Sequence, residues 1–244
     1  MQKDLAIVIP CYNEANRLPV SQFKKFLSVQ SKVSVFFVND GSKDKTHEVL
    51  SALKNEFPKQ IEVINMPQNS GKANAVRMGI RQTILQKDFY RVAYLDADLA
   101  TSLEECLRLS EEVKDEIVLA FGSRILKLDN QIKRKWYRFL LGRLVATAIS
   151  NTLKLSIYDS QCGCKIFEPQ TAEKIFDKVF ISKWLFDVEI FFRMIRLFGR
   201  SKIQNQIREI PLKAWVDTPD SRVSPLYFFT LWWDLYKISK HYKR

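Results

Sequence analysis

"VSVFFVNDGSKDKTHEVLSALKNEF" (33–57) reads in three parts. Residues 33–38 form an apolar run rich in β-branched and aromatic side chains, the pattern of a strand buried on both faces. A polar, turn-forming Asn-Asp-Gly-Ser-Lys-Asp follows. Val49, Leu50, Leu53 and Phe57 then recur at helical spacing. The same strand–turn–helix unit repeats outward from here. "LAIVI" (5–9), "IEVIN" (61–65), "VAYL" (92–95) and "EIVLAF" (116–121) are further strand-like runs. Val76, Ile80 and Ile84 share one helical face, as do Leu103, Leu107 and Leu109. Such alternation predicts an α/β domain with a mostly parallel sheet flanked by helices. Ligands in these sheets bind beyond the carboxyl ends of the strands. The most polar signatures stand there: "PCYNE" after the first run, "NDGSKD" after the second and "DAD" after the fourth.

The last of these poses a chemical question. In "VAYLDADLA" (92–100) a buried-looking strand runs into Asp96 and Asp98, with only Ala97 between them. Residues i and i+2 of a strand face the same way, so two carboxylates can converge just past its end. Their repulsion calls for a positive partner, and a hard divalent cation with oxygen ligands suits. A solvated acidic turn, or Asp98 as a helix N-cap, would account for the pattern equally simply.

The chain has 244 residues and 46% hydrophobic residues, enough for one folded domain with a real core. Its net charge of +12 points to an anionic partner: nucleic acid, anionic lipid or a phosphorylated substrate. Cys11, Cys106, Cys162 and Cys164 with two His do not form a disulfide or zinc-knuckle pattern, so a reduced, cytosolic chain is expected. No signal peptide or transmembrane run stands out.

Beyond residue 122 the pattern changes. "WYRFLLGRLVATAISNTLKL" (136–155) is a helix with a very wide apolar arc, and "SPLYFFTLWWDLYKISKHYKR" (224–244) is aromatic-rich with a basic end. Each fits either a helix packed in the core or an amphipathic helix at a membrane interface, where Trp, Tyr, Lys and Arg anchor well. The expectation is a single domain over 1–244. Residues 1–122 carry the strand-end polar signatures, and 123–244 the C-terminal helices, read as membrane-facing.

"IVIPCYNEANRL", "VFFVNDGSKDKT", "NSGKANAVRMGI" and "YLDADLAT" resemble, in order and spacing, the family 2 glycosyltransferases of GT-A (Rossmann-like) fold. "GSR" (122–124), "DSQCGCKIF" (159–167) and "WLFDVEI" (184–190) resemble the polyprenyl-phosphate sugar transferases within it, the dolichyl-phosphate glucosyltransferases and mannosyltransferases. The resemblance runs from residue 4 to about 236. It implies an inverting transfer of one hexose from UDP-glucose or GDP-mannose to a dolichyl or undecaprenyl phosphate. It also implies Mg²⁺ or Mn²⁺, no nucleic acid, a peripheral site on the cytoplasmic face of an anionic membrane, and room for a separate membrane subunit.

Residue by residue, the resemblance puts Pro10, Tyr12 and Glu14 at the nucleoside, with Asp40 accepting from the base; the alternative for Asp40 is a cap on the next helix, for which Asp44 is also available. Lys72, after Gly71 at a helix start, suits the diphosphate. Asp96, Ala97 and Asp98 line the donor, with the two aspartates holding the metal. Arg124 is implied at the acceptor phosphate, with Arg138 and Arg134 competing as a second arginine. Asp159 and Gln161 are expected at sugar hydroxyls or the metal shell, Lys165 at phosphate, and Asp187 as a base, a sugar-positioning group or a cation holder. Three departures from the family pattern bear on the acceptor: Cys164 in place of Phe, Gly142 in place of Ser, and "DTPDSRVSP" in place of a Gly-Ser-Lys loop, with Arg222 a substitute cation. The competing readings are a nucleic-acid binder, a nucleotidylyltransferase, a catalytically inactive sugar-nucleotide regulator, and a transferase acting on a hydroxyl acceptor. The first two lack their motifs, and the intact Asp96, Asp98, Lys72 and Arg124 argue against the third.

Overall fold

The computed structural model describes residues 3–86, 88–126, 128, 130–133, 136–216 and 227–242, and of 133–141 and 227–229 only the backbone. In chain order the elements are β1 (Lys3–Cys11), α1 (Val20–Val29), β2 (Val33–Asn39), α2 (Thr46–Glu56), β3 (Ile61–Asn65), α3 (Lys72–Gln86), β4 (Phe89–Leu95), α4 (Leu103–Ser110), β5 (Leu119–Ser123), β6 (Gln131–Lys133), α5 (Trp136–Leu153), β7 (Cys164–Phe167), α6 (Pro169–Ile175), α7 (Phe186–Phe198), α8 (Arg200–Gln206), β8 (Ile207–Pro211), β9 (Ala214–Val216) and α9 (Tyr227–Tyr242).

Seven strands make one sheet in the order β3-β2-β1-β4-β7-β5-β8, and β6 pairs with β9 in a small separate sheet. All neighbours in the large sheet run parallel except β7, which is antiparallel to both β4 and β5. The apolar runs are continuous because both faces are covered. Ala6 and Val8 of β1 face one core with Val76 and Ile80 of α3 and Phe191 of α7. Leu5, Ile7 and Ile9 face the other, with Phe23 and Phe26 of α1, Leu50 and Leu53 of α2, and Leu103 and Leu109 of α4. The fold is thus the expected three-layer α/β arrangement.

The structure differs from the sequence reading in detail. The fifth run enters the sheet at Leu119 and continues to Ser123. Residues before it turn, through Asp115 at φ 52 and the Ile117 N–H bonded to Lys114 O. β7 and β8 were not anticipated. Fully buried Lys165 interrupts the apolar run of β7, and the "IREIP" of β8 has the partial exposure of an edge strand. The helix expected over 136–155 ends at Leu153, with Lys154 at φ 54. No helix among the described residues is long and apolar enough to cross a membrane.

Candidate functional site

The register aligns the carboxyl ends of the central strands: Cys11 lies opposite Asn39, and Val8 opposite Tyr94. Pro10, Tyr12 and Glu14 at the end of β1, Asp40 after β2 and Asp96 to Asp98 after β4 therefore share one edge, where the strand order reverses between β1 and β4. Because β7 runs the other way, its start at Cys164 stands opposite Leu95, and the preceding 158–163 segment reaches the same edge.

Asp40 is buried and accepts from Ser70 N at 2.7 Å, Gly71 N at 2.9 Å and Asn69 Nδ2 at 3.1 Å. Burial pushes its carboxyl up, and the two backbone N–H bonds oppose that shift. Asp40 thus holds the turn that starts α3, not α2; the first turn of α2 is served by Asp44, which accepts from Thr46 N at 3.0 Å. A carboxylate offers about four acceptor positions, so the three protein donors leave Asp40 room for another.

Lys72 opens α3, and its Nζ lies 2.5 Å from Asp96 Oδ1. Burial alone would push this ammonium down, but Asp96, aided by Asp187 and Asp98, holds it above its ordinary value. A cation at the positive end of a helix dipole is one element of a phosphate site; the Ala73 N–H beside it is already bonded to Lys183 O at 3.2 Å. The Asp96 backbone donates to Gly163 O at 3.1 Å. A Cβ on Gly163 would lie 2.1 Å from Asp96 Oδ2, so only glycine lets this segment pass so close to the carboxylate. Among the described residues no group of three or more His, Cys, Asp or Glu side chains converges. Two adjacent carboxylates still fit Mg²⁺ or Mn²⁺, since such ions are commonly held by one or two carboxylates with substrate phosphate and water completing the shell. The Cys162 thiol, pushed up to about 12 by burial, is a soft ligand of the kind these hard cations do not favour.

Arg124 follows β5 and is gripped by Asp159: Nε to Oδ2 is 2.6 Å, Nη2 to Oδ1 2.7 Å and the Arg124 backbone N to Oδ2 3.0 Å. Burial would raise the Asp159 carboxyl, but the guanidinium more than offsets it and holds the group down at about 2. The Trp215 ring lies 5.3 Å from the guanidinium carbon. Three donors on Asp159 leave it, like Asp40, one acceptor position, and its partner in the protein is Arg124. Gln161 Nε2, with Ser123 Oγ and Ser160 Oγ, is buried without a hydrogen-bond partner among the described residues.

Lys165 also departs from expectation. It is fully buried, and its ammonium reaches Asp187 Oδ1 at 2.5 Å and Cys162 O at 2.8 Å. It supports the 158–163 segment from below and does not face phosphate. Asp187, in the first turn of α7, is buried as well and also accepts from the Tyr94 hydroxyl. Burial and the Asp187 charge push the Tyr94 hydroxyl well above its usual value, so it remains a donor. Arg134, like Arg222, lies outside the described residues; Arg138 is placed on α5 by its backbone alone. Tyr94, Glu209 and Trp215 escaped the sequence reading; the hydroxyl of Tyr94 and the carboxylate of Glu209 inside short strands are the only signals, and Trp215 gives none.

A family model, glycosyl transferase family 2, matches residues 6–176. The chain is 31% identical to a human dolichyl-phosphate beta-glucosyltransferase over 92% of its own length and 71% of the relative's. It is 30% identical to that of Dictyostelium discoideum, over 91% and 69%. Among solved structures, glucosyl-3-phosphoglycerate synthase from Mycobacterium tuberculosis in complex with Mn²⁺, uridine-diphosphate-glucose and phosphoglyceric acid superposes with TM-score 0.68 at 14% identity, covering 98% of this chain and 80% of that one. The same enzyme with Mg²⁺ and uridine diphosphate superposes equally well, at TM-score 0.68 and 13% identity. With its three-layer fold and the cluster of Lys72, Asp96, Asp98 and Arg124 at the carboxyl edge of the sheet, this chain belongs to glycosyl transferase family 2.

Proposed function

We propose that the protein moves one hexose, glucose by the names of its relatives, from a nucleotide sugar to the phosphate of a polyprenol such as dolichol, with inversion. The carrying observation is a pair of separate cations at the carboxyl edge of one sheet: Lys72, ion-paired to Asp96 at 2.5 Å, and Arg124, ion-paired to Asp159 at 2.6 Å. Two cations on two different segments suit two different anions.

On this reading Tyr12, Glu14 and Asp40 hold the nucleoside, and Lys72 with the start of α3 holds the diphosphate. Asp96 and Asp98 hold Mg²⁺ or Mn²⁺, which when bound supplies Lewis-acid stabilisation of the diphosphate. Arg124, fixed by Asp159, draws in the acceptor phosphate, which carries roughly −1.5 to −2 at neutral pH and needs little help from a base. An acceptor oxygen attacks the anomeric carbon, the bond from that carbon to the diphosphate breaks, and the nucleoside diphosphate leaves with the electron pair. Asp187, already bound to Lys165 and Tyr94, is a positioning residue here. The buried, unpartnered atoms of Ser123, Ser160 and Gln161 suit a ligand rich in oxygen.

The lipid end of the acceptor implies a membrane surface. α9 buries Leu231, Leu235 and Ile238 and exposes Trp232, Trp233 and Tyr236, with Lys237 and Lys240 beside the rings of Trp233 and Tyr236 at 5.5 and 5.7 Å. Such a face suits the headgroup level of an anionic leaflet. Four free cysteines agree with the cytoplasmic side. The 1–122 half serves the donor and the 123–244 half the acceptor and lipid.

The test is to incubate the protein with radiolabelled UDP-glucose or GDP-mannose, Mn²⁺ and a short polyprenyl phosphate, and to follow label into the lipid phase. Label on a polyprenyl phosphate, with none on free polyprenol or saccharide acceptors, supports the reading; label only on hydroxyl acceptors overturns it.

A further inference from the structure

We propose that Glu209 is a positioning residue of the transfer reaction, acting through Asp159 on the orientation of the Arg124 guanidinium. This rests on the reading that Arg124 meets the acceptor phosphate.

Glu209 sits mid-strand on β8, opposite Phe121 of β5. Its two carboxylate oxygens accept from two consecutive backbone N–H groups, Oε2 from Tyr158 at 2.9 Å and Oε1 from Asp159 at 2.7 Å. Successive N–H groups aimed at one carboxylate fix the peptide plane between them. The carbonyl side of the same turn is held too: Arg143 Nη1 donates to Tyr158 O at 2.8 Å, and its guanidinium lies 3.7 Å from the Tyr158 ring. The backbone that carries Asp159 is therefore clamped from both sides.

Asp159 passes this constraint on. It takes Nε and one hydrogen of Nη2 from Arg124, and the Arg124 backbone N–H as well. The guanidinium is planar, so binding one edge fixes the direction of the other edge, formed by Nη1 and the second Nη2 hydrogen. That outer edge has the geometry to hold a phosphate bidentately. Trp215 lies against the guanidinium and restricts tilt out of plane. Among the described residues Glu209 forms no ion pair of its own, and its side-chain hydrogen bonds go to the segment that carries Asp159. A staple for the fold alone would not need to grip the two N–H groups that aim a catalytic arginine.

Glu209→Gln keeps size and removes the symmetry. The amide nitrogen must face one of the two N–H groups, which breaks one bond and sets donor against donor. An unsatisfied donor in this turn loosens the grip on Asp159, so a rise of roughly 10-fold in the acceptor KM is expected, with the donor KM unchanged. The experiment is a double-mutant cycle with Arg124→Ala, measuring both KM values and kcat with a short polyprenyl phosphate and the donor. If Glu209 acts through Arg124, the Gln substitution has less than about a 2-fold effect once Arg124 is alanine. Equal effects in both backgrounds, or a parallel loss on both substrates, would overturn the proposal. Glu209→Asp keeps the charge and enters the same cycle where the Gln variant does not fold, with the same pattern expected. The underlying reading fails separately, through Arg124→Ala alone: it would then raise the donor KM and leave the acceptor KM unchanged, whatever the coupling to Glu209.

Discussion

Lys165 Nζ lies 2.5 Å from Asp187 Oδ1, and both side chains are sealed beneath the crevice. The pair joins β7 to α7 directly below Cys162 O, so it carries the floor of the site. Removing one partner of a buried ion pair typically costs about 3–5 kcal/mol, because the other is left charged and unmatched. Lys165→Met is expected to lower unfolding stability by roughly that amount, and adding Asp187→Asn should recover part of it. Urea titration of the single and double variants checks this.

Gly163→Ala is expected to cost activity more than stability. The new Cβ would meet Asp96 Oδ2 at 2.1 Å, and Asp96 must turn away from Lys72. A loss of about 10-fold or more in turnover is expected, since small misplacement of reacting groups costs heavily. Steady-state kinetics beside a thermal melt separates the two effects.

Asp98→Asn tests the metal. Loss of one charged ligand should reduce transfer at least ~100-fold, on the scale of other preorganised electrostatic groups. Calorimetry of nucleoside diphosphate with Mn²⁺ should show weaker binding for the variant, and EDTA should erase the difference.

The Arg124–Asp159 pair gives a defined acid response. The Asp159 carboxyl titrates at about 2 in the folded protein and near 3.9 when unfolded. Its folded value is depressed, so the stabilisation is fully present above about pH 4 and disappears as pH falls towards 2. The shift corresponds to roughly 2–3 kcal/mol. The stability gap between wild type and Asp159→Asn should narrow across that window, as followed by denaturant unfolding at a series of acid pH values.

Trp232→Ala with Trp233→Ala should weaken sedimentation with anionic vesicles while leaving transfer to a short, soluble polyprenyl phosphate unchanged. Both rings are exposed, so the fold loses little. Raised salt should weaken binding of the wild type by screening Lys237 and Lys240.

Those parts of the fold whose strands are buried on both faces were legible in the sequence, because burial writes unbroken apolar runs: β1, β2 and β4 lie where "LAIVI", "VSVFFV" and "VAYL" put them. β7 was not legible. Its four residues include two cysteines and a lysine, and its place between β4 and β5 depends on pairing with strands far away in sequence. The same division holds at the site. Lys72 and Asp96 announced themselves as polar residues at strand and helix ends, and they do meet. The partners of Arg124, Lys165 and Asp187 come from segments that no local pattern brings together, so the Arg124–Asp159 and Lys165–Asp187 pairs were not legible.

The insertion of β7 also acts as a ruler. Asp96 follows β4 and Arg124 follows β5, and one antiparallel strand lies between β4 and β5. Asp96 and Arg124 therefore stand about two interstrand steps apart, each roughly 4.8 Å. That separation is written in backbone hydrogen bonds, so on the proposed assignment side-chain evolution can retune the sugar or the lipid while the distance the sugar crosses remains a property of the sheet.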